Sequence, residues 1–169
     1  MTSVRTPADG RKTWTLLATK PTAFDAAEFN AGVNISCDIA DSDSRIASSG
    51  SEKINDPAVC EDSNNGAYGR RNFEGSIAPY ILLDEDDASY TIVDNPVFEA
   101  FRVRNTTLWI VRRDGVEYGE EYAAGQMIDG VYEVRPDDPQ SPTDTSNTYV
   151  KRTIPLDVKP LKTNFVLEA

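Results

Sequence analysis

The chain has 169 residues, the length of one ordinary domain, with 39% hydrophobic residues, 17 basic and 28 acidic residues and a formal charge of −11. That charge speaks against an electrostatic grip on nucleic acid, which needs a basic footprint to displace counterions. No run approaches the ~18 apolar residues of a membrane span, and "MTSVRTPADGRKTW" at the N-terminus has no apolar core of a cleaved signal, so a protein made and kept in the cytoplasm is expected.

Residues 1–11 mix Thr, Pro, Gly and charge without period and read as an N-terminal arm. Residues 12–18, "KTWTLLA", predict a first strand, and residues 20–32 a connector with at most a turn or two of helix. From Val33 to Ile39 the chain alternates, with Val33, Ile35, Cys37 and Ile39 facing a core and Asn34, Ser36 and Asp38 facing outward. Cys37 then reads as a small core residue. Without an export signal it is not expected to pair with Cys60, the second cysteine.

Residues 40–66 are dominated by Ser, Asp, Asn and Gly, and this stretch is expected to be a long inter-strand loop with no core of its own. Residues 70–83 predict a second long strand, Phe73 and Ile77 opposing Asn72, Glu74 and Ser76, which pairs with the first across that loop. A short strand is expected over residues 90–93. Asn95 followed by Pro96 predicts a helix carrying Val97, Phe98, Ala100 and Phe101 on one stripe.

"TLWIVRRDGVEY" at residues 107–118 reads as a hairpin turning at Asp114-Gly115, and residues 125–134 add a strand. A Pro-rich loop covers residues 136–148. The C-terminal segment is β-patterned, with Val150, Arg152, Ile154, Leu156 and Val158 sharing a face. The whole is mainly β: a sandwich- or barrel-like single domain with one flanking helix, a long loop and terminal arms.

Catalytic chemistry is hard to find. Histidine is absent, which removes every site that depends on imidazole. The acidic runs at residues 84–87 and at Asp38, Asp41 and Asp43 fail the calcium-loop pattern, and no phosphate-cradling, nucleophile-elbow or C-x-x-C zinc motif occurs. No catalytic, cofactor-binding or metal residues are therefore assigned. The doublets Arg70-Arg71 and Arg112-Arg113 read as surface ion pairs, and Phe73, Tyr80 and Trp109 as core. Two further classes stay open: a carbohydrate-binding β-sandwich using Trp109, Tyr118 and Tyr122, and a hydrolase acting through carboxylates in the 84–87 run.

The ordered segments "PTAFDAAEFNAGVNISC" (21–37), "DPAVCE" (56–61), "GRRNFEGSI" (69–77), "VFEAF" (97–101), "LWIVRRDG" (108–115) and "AAGQMIDGVYEV" (123–134) resemble the major tail tube proteins of long-tailed, actinobacteriophage-like phages. The resemblance implies a non-enzymatic virion protein, assembled in the host cytoplasm, whose hexameric rings stack into a hollow tail tube that delivers the genome. It implies as partners further copies of the chain, the tape measure, tail terminator and distal tail proteins, and DNA that passes without specific binding. Other virion roles, tail terminator or head decoration, stand as alternatives.

With that implied tube, the polar alternation marks Asn34, Ser36, Asp38, Asn72, Glu74 and Ser76 as lumen-lining candidates. The hydrophilic stretch marks Asp41, Asp43, Arg45, Ile46, Ile54 and Val59 as inter-subunit candidates, ordered by a neighbouring copy. The acidic balance would keep a polyanion from sticking to the wall.

Overall fold

The computed structural model describes residues 9–54, 59–60, 66–82, 95–142 and 148–168. The acidic run 84–87, the expected strand at residues 90–93 and most of the expected arm 1–11 lie outside the described residues, as do parts of the two expected loops.

Seven strands form one antiparallel sheet: β1 (Lys12–Leu17), β2 (Val33–Asn34), β3 (Arg45–Ile54), β4 (Ala67–Ile77), β5 (Leu108–Asp114), β6 (Met127–Pro136) and β7 (Ile154–Val166), in the order β2-β1-β5-β6-β7-β4-β3. The sheet curls. After β2, Ala40 N–H donates to the Ala78 carbonyl at 2.9 Å and Ile39 bridges Pro79, although four strands separate β2 from β4 in the sheet order. This gives the expected sandwich- or barrel-like form.

The inner face gathers Trp14, Ile46, Ile77, Ile110, Tyr132, Val134, Ile154, Leu156 and Val158. Helix α2 (Pro96–Phe101) adds Val97 and Phe101 to the same core. Outside the barrel, a second cluster forms where helix α1 (Ala26–Asn30) brings the fully buried Phe29 against Leu17, Val111, Tyr122, Ile128, Val131 and Leu167. β1, β5 and β6 are thus covered on both sides, which is why their sequences carry apolar residues or threonine on both faces.

Asn95 sits at the N-cap position of α2, but its side chain hydrogen-bonds the N–H and carbonyl of Leu82 (2.9 and 3.0 Å) instead of capping the helix. Asp114-Gly115 does end β5, with Gly115 at φ 95°. The returning strand, however, is β6, reached after the loop 115–126, and not residues 116–118.

Three further expectations are corrected. Strand β2 stops at Asn34, because a turn in which Asp38 N–H donates to the Ile35 carbonyl breaks the alternation. Ile35 and Ile39 stay buried while Cys37 is turned out to solvent, so it is not a core residue. Ten residues of the stretch 40–66 are not loop at all but β3. Its register with β4, Ile46 opposite Gly75 and Ser48 opposite Phe73, makes β3 the pairing partner expected of the first strand.

Gly130 faces Tyr132 so closely that an added Cβ would overlap the buried ring, which also packs on Phe73 at 5.9 Å between centroids. Gly130→Ala is expected to cost about 1–3 kcal/mol by overpacking, read as a lowered thermal midpoint in circular dichroism; an unchanged midpoint would contradict this packing.

Candidate functional site: a projecting hairpin and an uncovered sheet face

Hairpin β3–β4 has two halves with different physics. At its base, Ile46 and Ile77 are core residues, Ser76 Oγ donates to the Asp43 carbonyl at 2.8 Å, and Asp43 forms an ion pair with the buried Lys151. β4 pairs with β7 only from Glu74 to Ile77. Beyond Ser48 and Phe73 the two strands pair with each other alone, through bulges at Ser48/Gly50 and Ser51/Lys53. Ile54 and Tyr68 are 56% and 74% exposed there, and Val59, in the turn, is fully exposed. A two-stranded ribbon with neither face covered is marginal by itself in water.

Of the inter-subunit candidates, the structure therefore separates two groups. Ile46 belongs to the chain's own core and Asp43 to its own ion pair, while Asp41 is held by Lys12 at 2.8 Å and Arg45 opens the β3–β4 ladder opposite Ser76. Ile54 and Val59 are the two that project.

Asn72, Glu74 and Ser76 point to the outer side of the sheet, alternating with Phe73, Gly75 and the buried Ile77. Register carries that face across two more strands: Glu74 lies opposite Asp157, Asp157 opposite Arg135, and Lys159 opposite Glu133. The result is a polar sheet face. Asn34, Ser36 and Asp38 are not part of this paired face: residues 38–40 meet the chain only past the end of β4, at residues 78–80, and do not pair with β4, β7 or β6. Asn34 is also committed locally: its amide donates to the Tyr118 carbonyl at 2.6 Å, and its Oδ1 accepts from the N–H and hydroxyl of Ser36. Asp38 remains exposed, its carbonyl bonded by Tyr80 N–H.

The loop 115–126 covers that other side, and its organiser is Arg113. Expected as a surface ion pair, Arg113 is fully buried; its guanidinium donates to the carbonyls of Glu117, Glu120 and Glu121, to Gln126 Oε1 and to Thr13 Oγ1, at 2.6 to 3.3 Å. It also stacks on Tyr122, 4.4 Å from the ring centroid. Burial pulls its pKa below the ordinary arginine value, and Tyr122 and Glu120 partly offset this; the group stays charged. No sequence signal separates this arginine from its neighbour. Arg112 behaves nearer to expectation, pairing with Asp129 and Asp114 at 3.4 and 3.8 Å. Burial, together with Asp129, pushes the nearby Tyr132 up to about 12.

These placements dissolve the carbohydrate platform. Tyr122 is buried, its hydroxyl bonded to Thr15 at 2.8 Å and its ring on Arg113; Trp109 packs against the outer cluster, and Tyr118 alone is exposed. Tyr80 and Phe73 are half-buried rather than fully core. Among the described residues no group of His, Cys, Asp and Glu could hold a metal ion, and no helix is long and apolar enough to cross a membrane.

A groove of about 530 Å³ opens beside α2; Cys37, Tyr80, Leu82, Val97, Phe98 and Tyr149 are among the residues lining it.

Comparison with known families gives one match: the model described as "Phage tail tube protein" aligns with residues 1–164. No curated protein matches the chain.

Proposed function

The chain belongs to the phage tail tube protein family, and on that premise we propose that its copies self-assemble into stacked hexameric rings whose bore conducts the genome into the host. As a structural protein of the tail it needs no catalytic machinery. The observation that carries the assembly reading is the outer half of hairpin β3–β4: a ribbon with exposed Ile54 and Tyr68 and no covering surface among the described residues. Such a ribbon gains stability by docking on another copy.

The wall of the bore is assigned to the outer face of β4, β7 and β6, with Asn72, Glu74 and Ser76 at its β4 edge. Acid and base alternate on this face, Glu74 and Asp157 against Arg135 and Lys159, in a chain of net charge −11. A polyanion meets no basic track there. The tape measure protein would fill the bore before ejection, and the tail terminator and distal tail proteins would meet the two ends. Assembly would take place in the host cytoplasm.

Changing Asn72 and Glu74 together to lysine makes each subunit more positive by three charges and leaves Ser76 on Asp43. Tubes of normal appearance are expected, with infectivity of the virions lowered roughly tenfold or more as the wall begins to hold phosphates. Plaque counts per particle measure it; normal infectivity would place the wall elsewhere.

A further inference from the structure

We propose that the groove beside α2 is the seat for the hairpin of a second copy, Ile54 and Tyr68 of one chain entering between Tyr80, Leu82, Phe98 and Tyr149 of the next. This rests on the assembly reading and adds to it the identity of the receiving surface.

Both sides are apolar and open. Leu82 and Tyr149 on the groove are 55% and 80% exposed, matched by the exposed Ile54 and Tyr68 on the ribbon. Tyr68 lies opposite Lys53 while Ile54 lies opposite Ala67 and packs toward Gly69, so the ribbon presents one apolar side chain on each of its faces. That is the form of a wedge. A wedge suits a groove, where a one-sided strand would suit a flat surface.

Geometry excludes the chain's own ribbon as occupant. Tyr68 stands near the start of β4 and the groove begins past its end, at Tyr80. The nine residue steps from Tyr68 to Ile77, along one paired strand, hold the two roughly 30 Å apart at ~3.3 Å per residue. Only another molecule can bring a ribbon to the groove.

Charge selects the same partner. The strands of the ribbon carry Lys53, Arg70 and Arg71 against the single acid Glu52, whereas Asp38 borders the groove. Wedge and groove are different surfaces of one chain. Their contact is therefore head-to-tail, the type that closes into a ring or runs on as a filament.

The chain's two cysteines report on this contact. Cys37 lines the groove, Cys60 lies in the turn of the ribbon, and both are exposed in the single chain. Assembled protein treated with a short bismaleimide is expected to give a ladder of covalent multimers, with a Cys37–Cys60 cross-linked peptide by mass spectrometry. Cys37→Ser and Cys60→Ser should each abolish the whole ladder, the dimer included. In parallel, Ile54→Ser with Tyr68→Ser should raise the concentration needed for assembly about tenfold or more. Tubes that give no Cys37–Cys60 peptide, or an Ile54→Ser with Tyr68→Ser variant that assembles at the wild-type concentration, would overturn the pairing alone. A wild-type chain that stays monomeric at every concentration would remove the assembly reading with it.

Discussion

Replacing residues 49–72 by Asn-Gly should give a stable monomer that no longer polymerises. Ser48 and Phe73 lie directly opposite each other, so a two-residue turn can join them without disturbing the base of the hairpin. The ties at the base of the hairpin stay in place, Ile46 and Ile77 in the core, Ser76 on Asp43, and Asp43 on Lys151, and the long hydrogen bond from Arg71 to Thr163 Oγ1 (3.4 Å) is lost. The removed strand residues, 49–54 and 67–72, make the ribbon's own ladder and are mostly exposed. The thermal midpoint should therefore move by no more than a few degrees, while sedimentation shows monomer at concentrations where the full chain assembles. Cutting instead at residue 42 would take the Asp43 ion pair and Ile46 as well, and should unfold the chain. An unfolded 49–72 variant would mean that the outer ribbon belongs to the fold and not to assembly.

The largest single-residue effect on stability is expected at Arg113. Arg113→Met keeps much of the volume but leaves the carbonyls of Glu117, Glu120 and Glu121 facing an apolar side chain. Unsatisfied buried acceptors cost about 1–3 kcal/mol each, and water reaching the loosened loop recovers part of that, so a loss of about 3–5 kcal/mol is expected. For a chain of this size the midpoint falls by roughly 10 °C. Arg113→Lys should rescue little, since a point donor cannot span five acceptors arranged around a planar fork. Hydrogen exchange should show the loss of protection concentrated in residues 116–126. Uniform loss across the sheet would contradict the role of Arg113 as the holder of that loop.

How much of this was legible in the sequence depends on where apolar pattern and structure coincide. β1, α2, β6 and the start of β7 were readable because their buried faces are written in Trp14, Val97, Phe101, Val134, Ile154 and Leu156. β3 was not, since past Ile46 neither face is buried and "ASSGSEKI" has no reason to alternate; its backbone ladder with β4 holds it. β2 misled in the opposite way: four alternating apolar residues continue past the point where the chain turns, and Cys37 leaves the pattern.

The candidate wall shows the same division. Asn72, Glu74 and Ser76 follow from alternation on a real strand, whereas Asn34 looked equivalent until the loop 115–126 was seen to engage it through Tyr118. The buried Arg113 carries no sequence mark, because its acceptors are backbone carbonyls that any residue supplies. Nor does the groove, which is assembled from residues near 37, 80, 97 and 149 that only the closed sheet brings together.

Negative-stain electron microscopy of the purified chain over a range of concentrations tests the central claim most directly. Self-assembly predicts sixfold rings and stacked hollow tubes that lengthen as concentration rises, and none from the 49–72 variant under the same conditions. Dispersed single particles at every concentration, or rings formed equally well without the outer hairpin, would contradict it.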